Sequence, residues 1–297
     1  MSVLCDSWMV VGAKGMLGMD LVRHLRDSGI ATVALDIEDV DICDRDSVAA
    51  ALDEYKPCVV INVAAMTDVD GCEDRIEDAY RVNAHGPRNL ALAASERGTF
   101  LVHVSTDYVF DGKGKKPHRE DDPIGPIGVY GASKAQGELF VREALPDDHC
   151  IVRTQWLFGI HGKNFVEAIL NGARTRDVLR VVNDQRGRPS YAPDVARALE
   201  NLSRVRGRGT FHMANSGETT WYEFAHAIVE RAGLSHVRVE PISTEELGRP
   251  APRPAYSVLD TSRFSALVGY TPRHWTAALD EYLRIRREAA GSDGPAA

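Results

Sequence analysis

Trp8-Met9-Val10-Val11-Gly12-Ala13-Lys14-Gly15-Met16-Leu17-Gly18 is the stretch on which the reading of the fold turns. An uncharged run leads into three glycines spaced three apart, and Leu17, Leu21 and Leu25 then recur at helical spacing until Gly29. Apolar run, glycine turn and apolar periodicity predict a buried strand feeding a helix N-terminus. That is the local context a dinucleotide needs. Glycines let the main chain approach a pyrophosphate, and the unpaired amides and dipole of the helix start favour negative charge. The spacing is G-x-x-G-x-x-G rather than G-x-G-x-x-G, so the triplet takes its meaning from its flanks. Gly12, Lys14, Gly15, Met16, Leu17 and Gly18 are the expected cofactor-binding loop.

Working outward, Ile30 to Leu35 reads as a second strand ending at Asp36. A carboxylate at that point accepts hydrogen bonds from the adenosine ribose hydroxyls and repels a 2′-phosphate. No basic residue lies in Asp36-Ile37-Glu38-Asp39, which favours NADH over NADPH. Asp41 and Ile42 follow and are placed beside the adenine, ahead of a helix over 45–55. Cys58 to Val63 is nearly continuous apolar, as in a parallel strand buried on both faces. It ends in Ala64-Ala65, small enough for a cofactor to lie close, and in a polar loop, Met66 to Gly71, at the carboxyl end of the strand where open α/β sheets bind ligands. A long helical stretch over 75–97 is expected to break near Gly86-Pro87. It carries Asn83, either a bridge between backbones beneath the site or a surface cap.

Thr99 to Val104 is the fourth strand and delivers Ser105, Thr106 and Asp107. A helix bearing Tyr130 and Lys134 and a strand over 150–154 complete five β/α alternations. The class is α/β: a Rossmann-like doubly wound parallel sheet with right-handed crossovers. Beyond Gly159 come a helix over 164–174, a strand over 178–182, a helix from Asp194, a further sheet strand over 209–214, a helix over 221–232, a strand over 237–241 and a last helix over 275–288. Residues 1–158 and about 183–216 are expected to form the dinucleotide-binding domain. Residues 159–182 and 217–288 form a smaller α/β substrate-binding lobe, and 289–297 a disordered tail.

Composition narrows the partners. The chain has 297 residues and a formal net charge of −8, which argues against a nucleic-acid or anionic-membrane surface. Its five cysteines are scattered and never spaced C-x-x-C, as expected of reduced thiols. No apolar run reaches the roughly 20 residues of a membrane span. The start of the chain moves straight into a strand, so a cytoplasmic location is expected. No set of residues is assigned to a metal.

Thr106, Tyr130 and Lys134 are the candidate catalytic residues. Tyr130 and Lys134 are four apart and share a helix face. A free phenol, with a pKa of about 10, is a sluggish acid, and a neighbouring ammonium lowers it. The hydroxyl of Thr106 can fix a carbonyl oxygen while the phenol protonates it and a hydride arrives.

Taken together, the glycine loop, Asn62-Val-Ala-Ala-Met-Thr67-Asp-Val-Asp70, Val82-Asn83, Ser105-Thr106-Asp107-Tyr108-Val-Phe110-Asp-Gly112, Tyr130-Gly-Ala-Ser-Lys134-x-x-Gly137-Glu138, Arg153-Thr-Gln-Trp156-Leu-Phe158-Gly159, Asn183-Asp-Gln185-x-Gly187-x-Pro189 and Arg253-Pro-x-x-Ser257-x-Leu259-Asp260 cover nearly the whole chain. They resemble the extended short-chain dehydrogenase/reductase family, and within it the dTDP-4-dehydrorhamnose reductase branch. The resemblance implies reduction of the 4-keto group of dTDP-4-dehydrorhamnose to dTDP-L-rhamnose, with NADH or NADPH as hydride donor. It implies that Thr67, Val69, Asp107, Tyr108 and Trp156 line the sugar pocket, with Arg253 nearby or reaching the phosphates. Ala64, Ala65 and Thr67 would lie along the cofactor, and Tyr130 and Lys134 would face its nicotinamide ribose. Structural readings stand beside two of these, Trp156 as core and Arg253 as an ion pair.

Some relatives link dimers through magnesium on a glutamate after the glycine loop. Here that position is Asp20, so magnesium use is not assigned and a homodimer stays open. Ser190 stands where the family usually has threonine. Four other functions remain: a dehydratase, which needs a glutamate where Tyr108 stands; a 4-epimerase; a reductase making another deoxysugar; and a non-catalytic regulatory subunit with this fold.

Overall fold

The structure, a computed structural model, describes residues 7–292. Strands β1 (Ser7–Val11), β2 (Ala31–Leu35), β3 (Val59–Asn62), β4 (Phe100–Thr106) and β5 (His149–Thr154) form one sheet with a sixth strand, Gly209–His212. The order is Gly209–His212, β5, β4, β3, β1, β2, and every pair is parallel. The chain leaves β1 for β2 on one side and returns to β3 on the other. That reversal opens a crevice at the carboxyl ends of β1 and β3, the place where doubly wound sheets bind ligands.

The strands alternate their side chains between two apolar layers. Trp8, Val10, Phe100, Val102 and Val152 pack with Leu17, Leu21 and Leu25 of helix α1 (Met16–Asp27) and with the helix Ala192–Arg204. Met9, Val11, Leu101 and Ile151 point the other way, against Leu52, Leu90 and Val141. Burying each such side chain is worth about 1.5–3 kcal/mol, so a one-residue slip of any central strand would exchange both layers at once. A third apolar cluster, including Phe158, Leu179, Phe224, Ile228, Val239 and Leu279, is built from the later half of the chain. There Val178–Val182 pairs in parallel with Arg238–Ile242 and not with the main sheet.

Three expectations need correction. The stretch over 75–97 is not broken at Gly86-Pro87; Pro87 sits in the first turn of the helix Gly86–Arg97, where its missing N–H costs nothing. The irregularity lies earlier, in the short helix Ile76–Tyr80 and a wide π turn over Arg81–His85 that carries Asn83. The loop after β3 is already helical from Val69 to Asp74, capped by the Asp68 carboxylate accepting from the Gly71 N–H at 3.1 Å. Finally, the last helix runs to Ser292, past the expected start of the tail at 289; residues 293–297 lie outside the described residues.

The helix Val129–Ala144 presses against main chain at two places. A Cβ on Gly131 would stand 2.1 Å from the Tyr108 carbonyl oxygen, and one on Gly137 2.2 Å from that of Asn83. Because backbone cannot step aside as a side chain can, Gly137→Ala is expected to cost about 1–3 kcal/mol. Thermal or denaturant unfolding would show it, and a midpoint equal to wild type would mean that the helix can lift without loss.

Candidate active site

Gly12, immediately after β1, has φ +87°, and a Cβ there would stand 2.6 Å from the Ala64 amide nitrogen. Only glycine allows β1 and β3 to end this close. Gly18 is equally tight, with its would-be Cβ 2.1 Å from the Gly12 carbonyl oxygen. Gly15 differs. It is exposed, it precedes α1 with no side-chain cap, and a Cβ there would meet only the Gly12 carbonyl at 3.3 Å. The uncapped amides at the start of α1 therefore face open space suited to a pyrophosphate.

Asp36 ends β2 beside this loop. Its two carboxylate oxygens accept from the Lys14 N–H at 2.7 Å and the Ile37 N–H at 2.9 Å, which fixes the orientation of the side chain. The Lys14 ammonium pairs with Glu38 at 3.0 Å, with both side chains exposed. Leu17 and Ile42, expected to touch cofactor, bury their side chains in the two core layers; only their main chain remains available. Asp41 accepts from the Cys43 N–H at 2.8 Å in the turn before the second helix.

The catalytic candidates converge. Thr106 is the last residue of β4, two residues beyond the strand end expected from the sequence. Tyr130 lies half-buried in the first turn of its helix, edge-on to Tyr108 with ring centroids 5.4 Å apart. Burial pushes its phenol above the ordinary value, and a hydrogen bond with Thr106 pulls the other way. Lys134 is buried, and its ammonium donates to the Val104 carbonyl at 2.7 Å. Burial draws the Lys134 pKa down to about 8, opposed by Glu138. The largest influences on the Tyr130 phenol are burial, which raises it, and Thr106, which lowers it, followed by Asp107 and Tyr108. A phenol so placed is fully protonated at neutral pH, the form a proton donor needs.

Asp107, one of the residues expected to line the sugar, is 1% exposed and accepts from the Thr106 hydroxyl at 3.0 Å. Asn83 is the bridge rather than the surface cap. Its carboxamide accepts from the Met66 N–H at 2.9 Å and donates to the Met66 carbonyl at 3.0 Å and the Ser133 hydroxyl at 3.2 Å. It ties the loop after β3 to the turn that carries Tyr130. Thr67 and Val69 lie on that loop, exposed and half-buried.

Arg253 adopts the ion-pair role, bonding Asp70 at 2.7 Å and the Ala251 carbonyl at 2.6 Å, and its guanidinium opposes the rise that burial gives the Tyr108 phenol. Trp156 has a left-handed φ of +46° and stacks on Trp221 with centroids 3.6 Å apart, above Gly187.

Some functional neighbours were missed. Glu138 is fully buried and holds Arg153 through two bonds of 2.8 and 2.7 Å, one turn behind Lys134 on its helix. The four-residue spacing from Lys134 was the available signal. Trp221 and Asp70 gave none, because their partners lie far along the chain. Asp20, the position linked to magnesium in some relatives, is buried and pairs with Arg23 at 2.6 Å. Among the described residues no group of three or more His, Cys, Asp or Glu side chains is placed to hold a metal ion.

This sheet, with a glycine crevice and a convergent Thr106, Tyr130 and Lys134, defines an extended short-chain dehydrogenase/reductase, a nicotinamide-dependent class. The chain belongs to the dTDP-4-dehydrorhamnose reductase family; the family model described as RmlD substrate binding domain matches residues 7–287. It is 45% identical over 294 residues to a dTDP-4-dehydrorhamnose reductase of Streptomyces griseus, covering 97% of this chain and 96% of that one. The crystal structure of a dTDP-4-dehydrorhamnose reductase from Clostridium acetobutylicum superposes with a TM-score of 0.91 at 41% identity, covering 95% of this chain and 99% of that one. One from Bacillus anthracis, in complex with NADP, also reaches a TM-score of 0.91, at 36% identity, with 95% and 100% of the two chains covered.

Asn83→Ala would strip the Met66 N–H and C=O of their partner in a water-poor site. It is expected to lower stability by about 1–3 kcal/mol and to lower turnover more than cofactor affinity. Unfolding curves and steady-state kinetics check this; unchanged stability would show that the bridge is dispensable.

Proposed function

We propose that the protein reduces the 4-keto group of a dTDP-4-keto-6-deoxy-L-sugar, namely dTDP-4-dehydrorhamnose to dTDP-L-rhamnose. The observation that carries the reading is that Thr106, the last residue of β4, acts directly on the Tyr130 phenol, next to an Asp107-Tyr108 pair rather than an aspartate-glutamate pair. A dehydratase would need a second carboxylate there to pull a proton from the sugar. The family relationship supports the same substrate class.

A bound reduced nicotinamide supplies the hydride. Gly12, Gly15 and Gly18 with the first amides of α1 would hold its pyrophosphate, and the small side chains of Ala64 and Ala65 would leave room for it beside β3. The Thr106 hydroxyl holds the sugar carbonyl oxygen, and the Tyr130 phenol gives that oxygen its proton as the carbonyl carbon is reduced. Lys134 orients the cofactor ribose and supplies positive charge as the phenol loses its proton. General acid catalysis of this kind contributes about 10²–10⁴-fold in rate. Thr67, Val69, Tyr108 and Trp156 line the sugar, and Arg253, anchored on Asp70, holds Tyr108 and borders the phosphates. The sheet with both its apolar layers acts as the dinucleotide-binding domain, and the third apolar cluster as the substrate lobe.

Asp36 argues for NADH over NADPH. Its fixed carboxylate accepts from ribose hydroxyls and repels a 2′-phosphate, and the Lys14 ammonium is already paired with Glu38. The reading places the enzyme in the cytoplasm, in keeping with thiols at Cys43, Cys72 and Cys150 outside any disulfide.

With the dTDP-4-keto sugar generated in situ, wild-type protein is expected to oxidise the reduced cofactor. Tyr130→Phe is expected to lose roughly 10²-fold or more in turnover while still binding cofactor. Cofactor absorbance and a binding titration check both halves, and undiminished turnover would remove Tyr130 from its role. At equal concentrations kcat/KM should be higher with NADH; a strong preference for NADPH would overturn the role given to Asp36.

A further inference from the structure

Among the residues assigned to the sugar wall, Trp156 alone has a left-handed backbone, with φ +46°. A bulky aromatic residue is held there by its surroundings against its local preference. The main chain on either side is tied down: the Trp156 carbonyl accepts from the Ser190 N–H at 3.1 Å, and the Gln155 carboxamide oxygen accepts from the Arg188 N–H at 3.1 Å. The indole itself is covered by a second one. Trp221 lies almost parallel to it, with 12° between the planes and 3.6 Å between ring centroids.

Trp221 is fixed from several directions. It opens the helix Trp221–Arg231, where Thr220 and Glu223 close a capping box and the Thr220 hydroxyl donates to the Asn183 carboxamide oxygen at 2.8 Å. Its indole N–H donates to the Gln185 carboxamide oxygen at 3.1 Å. Gln185 in turn donates to the Thr244 hydroxyl at 2.9 Å, and that hydroxyl donates to Asp184 at 2.6 Å. The Phe165 ring packs beside Trp221 at 4.5 Å. Thr219, two residues before it, pairs with Gly187, where a Cβ would stand 2.5 Å from the Trp156 ring. The floor under Trp156 and the helix that carries its stacking partner are therefore one hydrogen-bonded unit.

We propose that Trp221 is the positioning residue of the sugar site, the ring that holds Trp156 in place before a dTDP-linked deoxysugar arrives. The inference rests on Trp156 lining the sugar in the proposed reduction. A side chain already set in its binding conformation loses no freedom when the ligand lands. Without Trp221, the Trp156 ring is free to relax with its backbone toward an ordinary φ, and each binding event must order it again. A sugar contact of this kind acts on ground state and transition state alike, so its loss is read in KM rather than in kcat. The stack moves no proton and no hydride, and none of its contacts is with the glycine loop.

Trp221→Leu keeps apolar volume in the lobe and removes the stack, whereas Trp221→Phe restores an aromatic face. Trp221→Leu should raise KM for the dTDP-4-keto sugar roughly tenfold or more, and Trp221→Phe should recover most of that loss. In both, kcat should stay within about threefold of wild type and the affinity for reduced cofactor should be unchanged. Circular dichroism of ligand-free wild type should show the exciton couplet of two stacked indoles, absent from both variants. dTDP-L-rhamnose should perturb that couplet, and dTDP alone should leave it as it was.

An unchanged KM in Trp221→Leu overturns the proposal, as does a lowered kcat at constant KM. A KM raised equally in the leucine and phenylalanine variants also overturns it, since a stacking role requires the second ring to rescue. If Trp221→Leu does not fold, the wild type decides: a couplet untouched by dTDP-L-rhamnose, or shifted as much by dTDP alone, sinks the idea. The reading beneath fails differently. Wild type that oxidises no cofactor with the keto sugar ends the reduction itself, while an active wild type beside an unaltered Trp221→Leu ends only the positioning role.

Discussion

Everything at the site depends on how closely the helix Val129–Ala144 lies against main chain. At Gly131 it touches the Tyr108 carbonyl and at Gly137 that of Asn83, with no room for a methyl group at either. Contact at that distance fixes the helix in both height and rotation, because backbone has no rotamers with which to yield. The first turn of the helix then carries Tyr130 to the end of β4, and the second drops Lys134 onto the Val104 carbonyl. The π turn at Arg81–His85 widens the neighbouring helix so that Asn83 can face inward and bond Met66 and Ser133. Such wide turns recur at functional sites because they redirect one side chain without ending the helix.

Behind this contact lies a charge balance. A buried lysine is tolerated because Glu138 stands one turn away, and burial raises the Glu138 carboxyl less than Arg153, Ser105 and Arg142 together lower it. Arg153 is itself satisfied by Glu138, by the Glu120 carbonyl at 3.3 Å and by the Phe110 ring at 5.1 Å. A buried ion pair of this kind is a weak source of net stability, but breaking it leaves an uncompensated charge. Its value here is positional, since it keeps the strand of Arg153 and the helix of Lys134 in register. Asp107 lies outside this balance, with hydroxyls and phenols for neighbours, and burial pushes its carboxyl toward neutrality.

Much of this was legible in the sequence, and the limits have physical causes. The strands, the glycine loop and the Tyr130–Lys134 helix are local patterns, readable from spacing and apolar runs over a dozen residues. The burial of Asp107 was not legible, because nothing local in a polar residue after a strand announces it. Leu17 was assigned to cofactor by its position in the glycine loop and Ile42 by its position after the second strand, and the side chains of both serve the core. Arg253 and Asp70, 183 residues apart, form a pair that no local pattern encodes. The Trp156–Trp221 stack is likewise set by tertiary packing, and its left-handed φ at Trp156 would not be guessed for a bulky residue.

The central claim is hydride delivery to the sugar C4 beside Tyr130. It is tested most directly by supplying the dTDP-4-keto sugar with a cofactor deuterated at the transferable position and reading the product by NMR. Deuterium at C4 of a product with the L-rhamno configuration is the expected result. A product labelled elsewhere, or unreduced sugar with the deuterated cofactor intact, would contradict it.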